Sequence, residues 1–473
     1  MRGEKLLSLR LRRRRTTTTL SGIAATRGVY LFPPISLSTF PAEKNDPAPK
    51  VWRWVPTLYF AEGIPYVVVT SLSVVMYKNF KVSNTEIAFF TSWLSLPWVI
   101  KPLWSPIVDR FRTKRFWIVG LQLVLGALLA LLALTVPGPA FFRGSLALFW
   151  LLAFGSATHD IAADGFYLLA LPPAQQAAFV GVRSTFYKVA MLAGQGGLVW
   201  LAGKLLDTWA NAGRAWSVVF WLLAAGFVAT GLYHFAVLPK PVSDHAVKSE
   251  REVAGSFLDA FITFFQKRDV LSILGFLLFY RFAEAQLLPI VKLFLLDGQK
   301  AGGLGLSTGQ VGFAYGTVGV GALIAGGLLG GYAISRFGLK RLLWPMILAM
   351  YVPNIAFIFL ALRQPDNLAL VGSVLAVEQF GYGFGFSAYM VYMMMAAEGE
   401  HKTAHYAICT GFMALGMMLP GMASGWLQEH LGYVNFFIWV SLATIPSFIA
   451  TALTKVDRAF GRRSPLPPEA KVN

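Results

Sequence analysis

Ten ionisable side chains sit inside runs that are otherwise apolar: Glu62; His159, Asp160 and Asp164; Arg183 and Lys188; Arg281, Glu284 and Lys292; and Glu378. A charge at the centre of a bilayer costs about 2.5–3.5 kcal/mol even on insertion scales, so each of these residues needs a reason to be there. Three kinds of chemistry suit the types present. A carboxyl group with its charged form disfavoured can carry a proton, opposite charges can pair in a gate, and polar groups can grip a solute. Asp160 and Asp164 are i, i+4 and share a helical face. The next run returns after Leu171-Pro172-Pro173, so at about 1.5 Å per residue Asp164 lies level with Arg183 and Asp160 with Lys188. The spacing therefore predicts a ladder of two ion pairs, read equally as self-neutralising structure or as a gate.

Arg281 and Glu284, at i, i+3, can pair with each other, whereas Glu378 has no partner on its own helix. That leaves Glu378 free to be protonated, to meet Arg281 or to bind solute, and Glu378 and Asp164 are the expected proton carriers. Glu62, His159, Arg281 and Glu284 are the expected polar lining of a cavity, with hydrogen bonding inside the helix bundle as the competing role for His159. Tyr382, Tyr389 and Tyr392, among Gly381, Gly383 and Gly385, are rings that stack on a sugar or an adenine, or else ordinary interior aromatics.

These residues are positioned by membrane-spanning helices. The chain is 56% hydrophobic, 14% charged and has a mean hydropathy of +0.58. Apolar runs of about 20 residues, the length that crosses a hydrocarbon core, occur twelve times. They fall near 54–77, 85–106, 116–136, 145–170, 178–203, 215–238, 269–295, 310–333, 342–362, 368–395, 404–428 and 433–454. The fold class is an all-α membrane protein of twelve helices.

The formal charge is +18, yet the basic residues gather in alternate loops. With both ends of the chain in the cytoplasm, inner loops hold about 18 Lys/Arg and outer loops about 7. The charge reads as topology and excludes nucleic acid as the partner; the bilayer is the partner. Residues 1–50, with Arg12 to Arg15 followed by Thr16 to Thr19, form a basic tail unlike the rest, acid-poor in the manner of a transit peptide and lacking the apolar core of a secretory signal. Cys409 is the one cysteine, so no disulfide forms within the chain.

Ser105 to Arg115 (SPIVDRFRTKR) is echoed by Gly331 to Arg341 (GYAISRFGLKR), and Met191-Leu-Ala-Gly194 by Met418-Leu-Pro-Gly421. Two six-helix halves follow, 51–238 and 269–456, joined by a cytoplasmic linker 239–268 and followed by a tail 457–473. Parallel repeats place a solute site at the midplane between halves that rock against each other. The first copy resembles the loop motif of the major facilitator superfamily, here Asp109 and Arg110, with Lys101 preceding it and Arg336 in the second copy, where Ser335 replaces the acid. In the fold this resemblance implies, spans 1, 4, 7 and 10 line the cavity, and every deep acid lies on one of them.

A narrower resemblance rests on Leu96 to Asp109 (LPWVIKPLWSPIVD), Ala157 to Gly165 (ATHDIAADG), and Tyr280-Arg281-Phe-Ala-Glu284 leading to Asp297. These are similar to the AmpG-like muropeptide permeases and their relatives, the acetyl-CoA transporters. The resemblance implies import by proton symport of a muropeptide-like glycopeptide or an acylated metabolite, with Lys101, Asp160, Asp164, Arg281 and Glu284 as site residues; the chain is further expected to be a monomer in a bacterial inner membrane, without metal or cofactor. The chain departs in having His159 where glutamine is usual and Glu62 where the permeases tend to be uncharged. An acyltransferase using His159 and Asp164 is disfavoured, because residues i and i+5 point about 140° apart on a helix. No nucleophile elbow or nucleotide loop appears elsewhere. A transporter-like sensor or scramblase is the other reading, and accumulation against a gradient separates it from a carrier.

Overall fold

The structure is a computed structural model and describes residues 48–242, 244, 259–398, 402–457 and 460. Among the described residues every regular element is helical. Ten stretches are long and apolar enough to cross a membrane, and they are numbered here with the one broken span included. α1 is Val55–Asn79. α2 is broken into Asn84–Trp93, Leu96–Ile100, the turn Lys101–Leu103 and Ser105–Arg110. α3 is Lys114–Thr135, α4 Phe141–Ala170, α5 Gly181–Trp209, α6 Ala212–Val237, α7 Val270–Leu296, α8 Thr308–Phe337, α9 Leu339–Arg363 and α10 Leu368–Ala396. The last stretch, Ala404–Leu453, reverses at Gly432 (φ 72), a conformation suited to glycine, and so provides both α11 and α12. Twelve spans result, as the hydropathy predicts. Most of the expected tails 1–50 and 457–473, and half of the linker 239–268, lie outside the described residues.

Helix starts are written in the sequence as caps: Ser83, Thr113, Asn211 and Asn367 accept backbone N–H groups, and Ser307 forms a capping box with Gln310. The interruptions are equally local. Pro97, Pro102 and Pro106 fragment α2, and α7 breaks between Val270–Phe279 and Phe282–Leu296. There the Tyr280 carbonyl accepts from the Tyr351 hydroxyl at 2.5 Å, which satisfies that acceptor at the break.

In the first half α1 packs on α5, and α3 lies against α4 and α6; in the second, α10 packs on α8 and α9. Across the halves α2 meets α11 and α5 meets α8. Glycine makes the α5–α8 approach close. Gly203 lies against the Gly309 backbone, Gly312 against Trp200 and Gly316 against Gln195, each with no room for a Cβ. Gly326 and Gly330 likewise seat α8 on α10.

The α2–α3 and α8–α9 loops mark one end of the bundle, the basic end; the α1–α2, α7–α8 and α11–α12 turns mark the other, the far end. At the basic end a short helix, 259–265, leads to Lys267, whose Nζ donates to the carbonyls of Ala396 (2.5 Å) and Glu398 (2.8 Å) at the close of α10.

Candidate functional site

Two polar clusters face each other, one in each half. In the first, Tyr59, Glu62 and Tyr66 lie on one face of α1, spaced three and four apart. Asp164 on α4 pairs with Arg183 on α5 at 2.6 Å and accepts from the Tyr59 hydroxyl at 3.3 Å. The Arg183 guanidinium lies over the Tyr59 ring, 4.6 Å from its centroid. Asp160 accepts from Trp98 Nε1 at 3.0 Å through one oxygen, while its other oxygen and one oxygen of Glu62 have no hydrogen-bond partner. Lys101, at the break in α2, is a charge neighbour of both acids.

The second cluster is built at the break in α7. Arg281 precedes the new helix start and Glu284 sits in its first turn, where the helix dipole favours an anion. Arg281 donates to the Tyr382 hydroxyl, and its guanidinium lies over the Tyr382 and Phe386 rings at 5.2 and 4.8 Å. Its Nε has no partner. Glu284 and Glu378 are both 0% exposed. Neither Glu284 oxygen is hydrogen-bonded, and Glu378 accepts only from its neighbour Gln379, at 2.9 Å. Asn354 of α9 stands against Glu284, yet both of its amide atoms also lack a partner of proper geometry. Tyr66 bridges the clusters, with Asp160 on one side and Arg281 on the other, and meets Trp98 edge to face at 5.2 Å.

At the far end the halves are locked together. Lys78 of α1 pairs with Asp297 after α7 at 2.6 Å, the two side chains being 15% and 17% exposed. Asn84 donates to Asp297 (3.1 Å) and Gln428 (2.6 Å), and Tyr433 donates to Asp297 (2.5 Å). The Arg183–Asp164 pair, by contrast, lies within one half and is 32% and 40% exposed.

Several sequence expectations need correction. Asp160 does not pair with Lys188. Five residues turn a helix by about 140°, so once Arg183 faces α4, Lys188 faces elsewhere; its Nζ lies near Gly327 of α8. His159 does not line the cavity. It turns into the first half, where Gln122 bridges it (3.1 Å) to His234 (2.9 Å), which in turn meets Thr57 (2.9 Å). Tyr389 is core: its hydroxyl donates to the Leu277 carbonyl at 2.6 Å and its ring stacks on Tyr280. Tyr392 is 1% exposed. Arg281 and Glu284 make no ion pair within contact distance among the described residues, and Glu378 faces Glu284 rather than Arg281. Lys101 belongs to the acid cluster rather than to the loop motif. Asp109 and Arg110 close α2, their side chains outside the described ones, and Arg336 is exposed in the last turn of α8. Sequence reasoning missed Tyr59, Tyr66, Trp98, Asn354 and the whole far-end network. Only the spacing of the α1 aromatics around Glu62 signalled any of these.

Twelve helices in two facing halves, with ionic groups confined to the crevice between them, define a solute carrier. Residues 57–303, more than half the chain, match the Major Facilitator Superfamily, and the chain belongs to it. It is similar to the anhydromuropeptide permease of Escherichia coli (strain K12), 26% identical over 399 residues that cover 83% of this chain and 77% of that one. It is also similar to the protein called AmpG 4 of Rickettsia conorii, 24% identical over 418 residues, 85% and 96% of the two chains. Among solved structures, a bacterial homolog of the human lysosomal transporter Spinster, inward-facing and unoccupied, matches 90% of this chain and 100% of that one (TM-score 0.63, 17% identity). A D-xylose–proton symporter matches 88% and 99% (TM-score 0.62, 13% identity). The chain is thus an AmpG-like membrane transporter for a small molecule and not an enzyme.

Proposed function

We propose that the protein imports a muropeptide-like glycopeptide with protons across a bacterial inner membrane. The basic end lies in the cytoplasm, as the loop charges favour, which makes the locked far end the outside and the described state inward-facing. The halves 51–238 and 269–456 rock about the site.

One observation carries the substrate reading. The crevice presents unpaired carboxylate oxygens (Glu62, Asp160) on one wall and a partly unpaired guanidinium (Arg281) on the other, with Trp98, Tyr66 and Tyr382 between. Such walls suit a solute that combines sugar rings with amino and carboxylate groups. The permease likeness points the same way. Proton coupling is supported by Glu62, Asp160, Glu284 and Glu378, acids within the spans that, among the described residues, make no ion pair within contact distance.

The test is uptake of labelled anhydromuropeptide into vesicles. Concentrative uptake that collapses with a protonophore, and that excess acetyl-CoA leaves intact, is the expected result. Uptake displaced by acetyl-CoA moves the substrate to acylated metabolites, and uptake that only equilibrates removes the coupling.

A further inference from the structure

Three spans leave the apolar layer at the basic end around one recess: α7 at its start, α10 at its close and α12 at Leu453. The recess is a cavity of about 220 Å³, and its polar lining includes Lys267, Arg268, Asp269, Ser272, Tyr392 and Lys455. Hydrogen bonds fix its frame. Ser272 donates to the Leu453 carbonyl at 3.1 Å, tying α7 to α12, and Lys267 holds the end of α10 through the carbonyls of Ala396 and Glu398. Two of the three cations are thereby engaged. Lys455 pairs with Asp269 at 2.7 Å, and Lys267 has its two carbonyls with Glu398 beside it. Arg268 is left over: it is exposed and, among the described residues, makes no hydrogen bond or ion pair. Its guanidinium is a planar fork of donors that fits two oxygens of a phosphate.

The surface beside this cavity is apolar. Leu271 in the first turn of α7 and Leu453 at the end of α12 are 82% and 69% exposed. The helix 259–265, which leads into Lys267, buries Phe264 against His405 and Phe412 of α11 and turns Ile262 and Phe265 outward. Residues i and i+3 share a helical face, so an apolar stripe runs up to the basic pair Lys267-Arg268. That is the make-up of an element lying at a membrane surface. A soluble anion makes no use of the stripe, whereas a lipid that joins a phosphate to acyl chains meets both features. We propose that this cavity is a binding site for an anionic phospholipid, its phosphate held by Arg268 at the cavity mouth and its chains lying along Leu271, Leu453 and the outward face of helix 259–265. Basic pockets between membrane-spanning helices bind such headgroups. The walls belong to the end of the linker and to the second half, apart from the crevice, so the site stands whatever solute the carrier moves.

Native mass spectrometry of the full chain, released from detergent after titration with lipid, counts what stays bound. A single phosphatidylglycerol is expected to be retained in preference to phosphatidylcholine. Arg268→Gln should weaken that retention about fivefold, the contribution of one cation near an anionic headgroup, and Arg268→Lys should restore part of it. Lys340→Gln removes an exposed charge in the first turn of α9, outside the cavity, and should leave retention as in the wild type. Leu271→Asn, at a position too exposed to matter for folding, should also weaken phosphatidylglycerol. Equal retention of the two lipids by the wild type overturns the proposal. So does a loss in Lys340→Gln as large as in Arg268→Gln, which reduces the site to a diffuse positive surface. Inorganic phosphate that displaces the lipid, with the same dependence on Arg268 and none on Leu271, makes the ligand a soluble anion and overturns the lipid.

Discussion

Neutralising Asp297 by Asp297→Asn keeps the shape of the side chain and strands Lys78 inside the far-end seal. At 2.6 Å the pair attracts with about 6 kcal/mol in an effective dielectric of about 20. Desolvation offsets much of this while both charges are present, but removal of one partner leaves a largely buried charge, typically at a cost of about 3–5 kcal/mol. The cost falls only on the state with the far end closed, because opening returns Lys78 to water. A shift of about 3 kcal/mol multiplies the open-to-closed ratio about 150-fold, so a carrier resting about 3% open at the far end becomes about 80% open. Spin labels at Ala140→Cys and Lys300→Cys, exposed on opposite halves, with Cys409, the only native cysteine, changed to Ser, report the change as a longer distance component in Asp297→Asn. The charge swap Lys78→Asp/Asp297→Lys is expected to restore much of the short component. An unchanged distance distribution in Asp297→Asn would refute the gate.

Two further perturbations address packing and the buried polar chain. Gly316→Ala puts a methyl group into the Gln195 backbone and, by overpacking of about 1–3 kcal/mol, should loosen the α5–α8 seam and lengthen the same spin-label distance, whereas Gly321→Ala, with nothing within 4 Å, should not. His234→Leu leaves the buried amide oxygen of Gln122 without its partner and should lower thermal stability by about 1–3 kcal/mol. His234→Leu/Gln122→Leu should recover part of that loss, and a double variant less stable than the single one would dismiss the chain as a structural support.

The places where sequence reasoning failed share one cause. Helical rise is a property of the backbone, so the level of a residue in the membrane follows from counting; that is why Asp164 and Arg183 meet as the spacing predicts. Rotation about a helix axis is set by what packs where. Lys188 was level with Asp160 but points at Gly327 of the other half. His159 was one residue from Asp160 but points at Gln122. Tyr389, with glycines nearby, was as suitable for a cavity as Tyr382, and the packing of α10 on α7 put it against Leu277.

By itself the sequence determined the twelve spans, the twofold repeat and the helices on which charges lie, because lipid rejects unpaired polar groups whatever the neighbouring helices do. Tertiary structure alone decided which of those charges meet, which end is shut, and that Lys78, Asn84, Asp297 and Tyr433 form the seal. These choices depend on how two separately folded bundles are apposed, and that apposition leaves no periodic mark in either one.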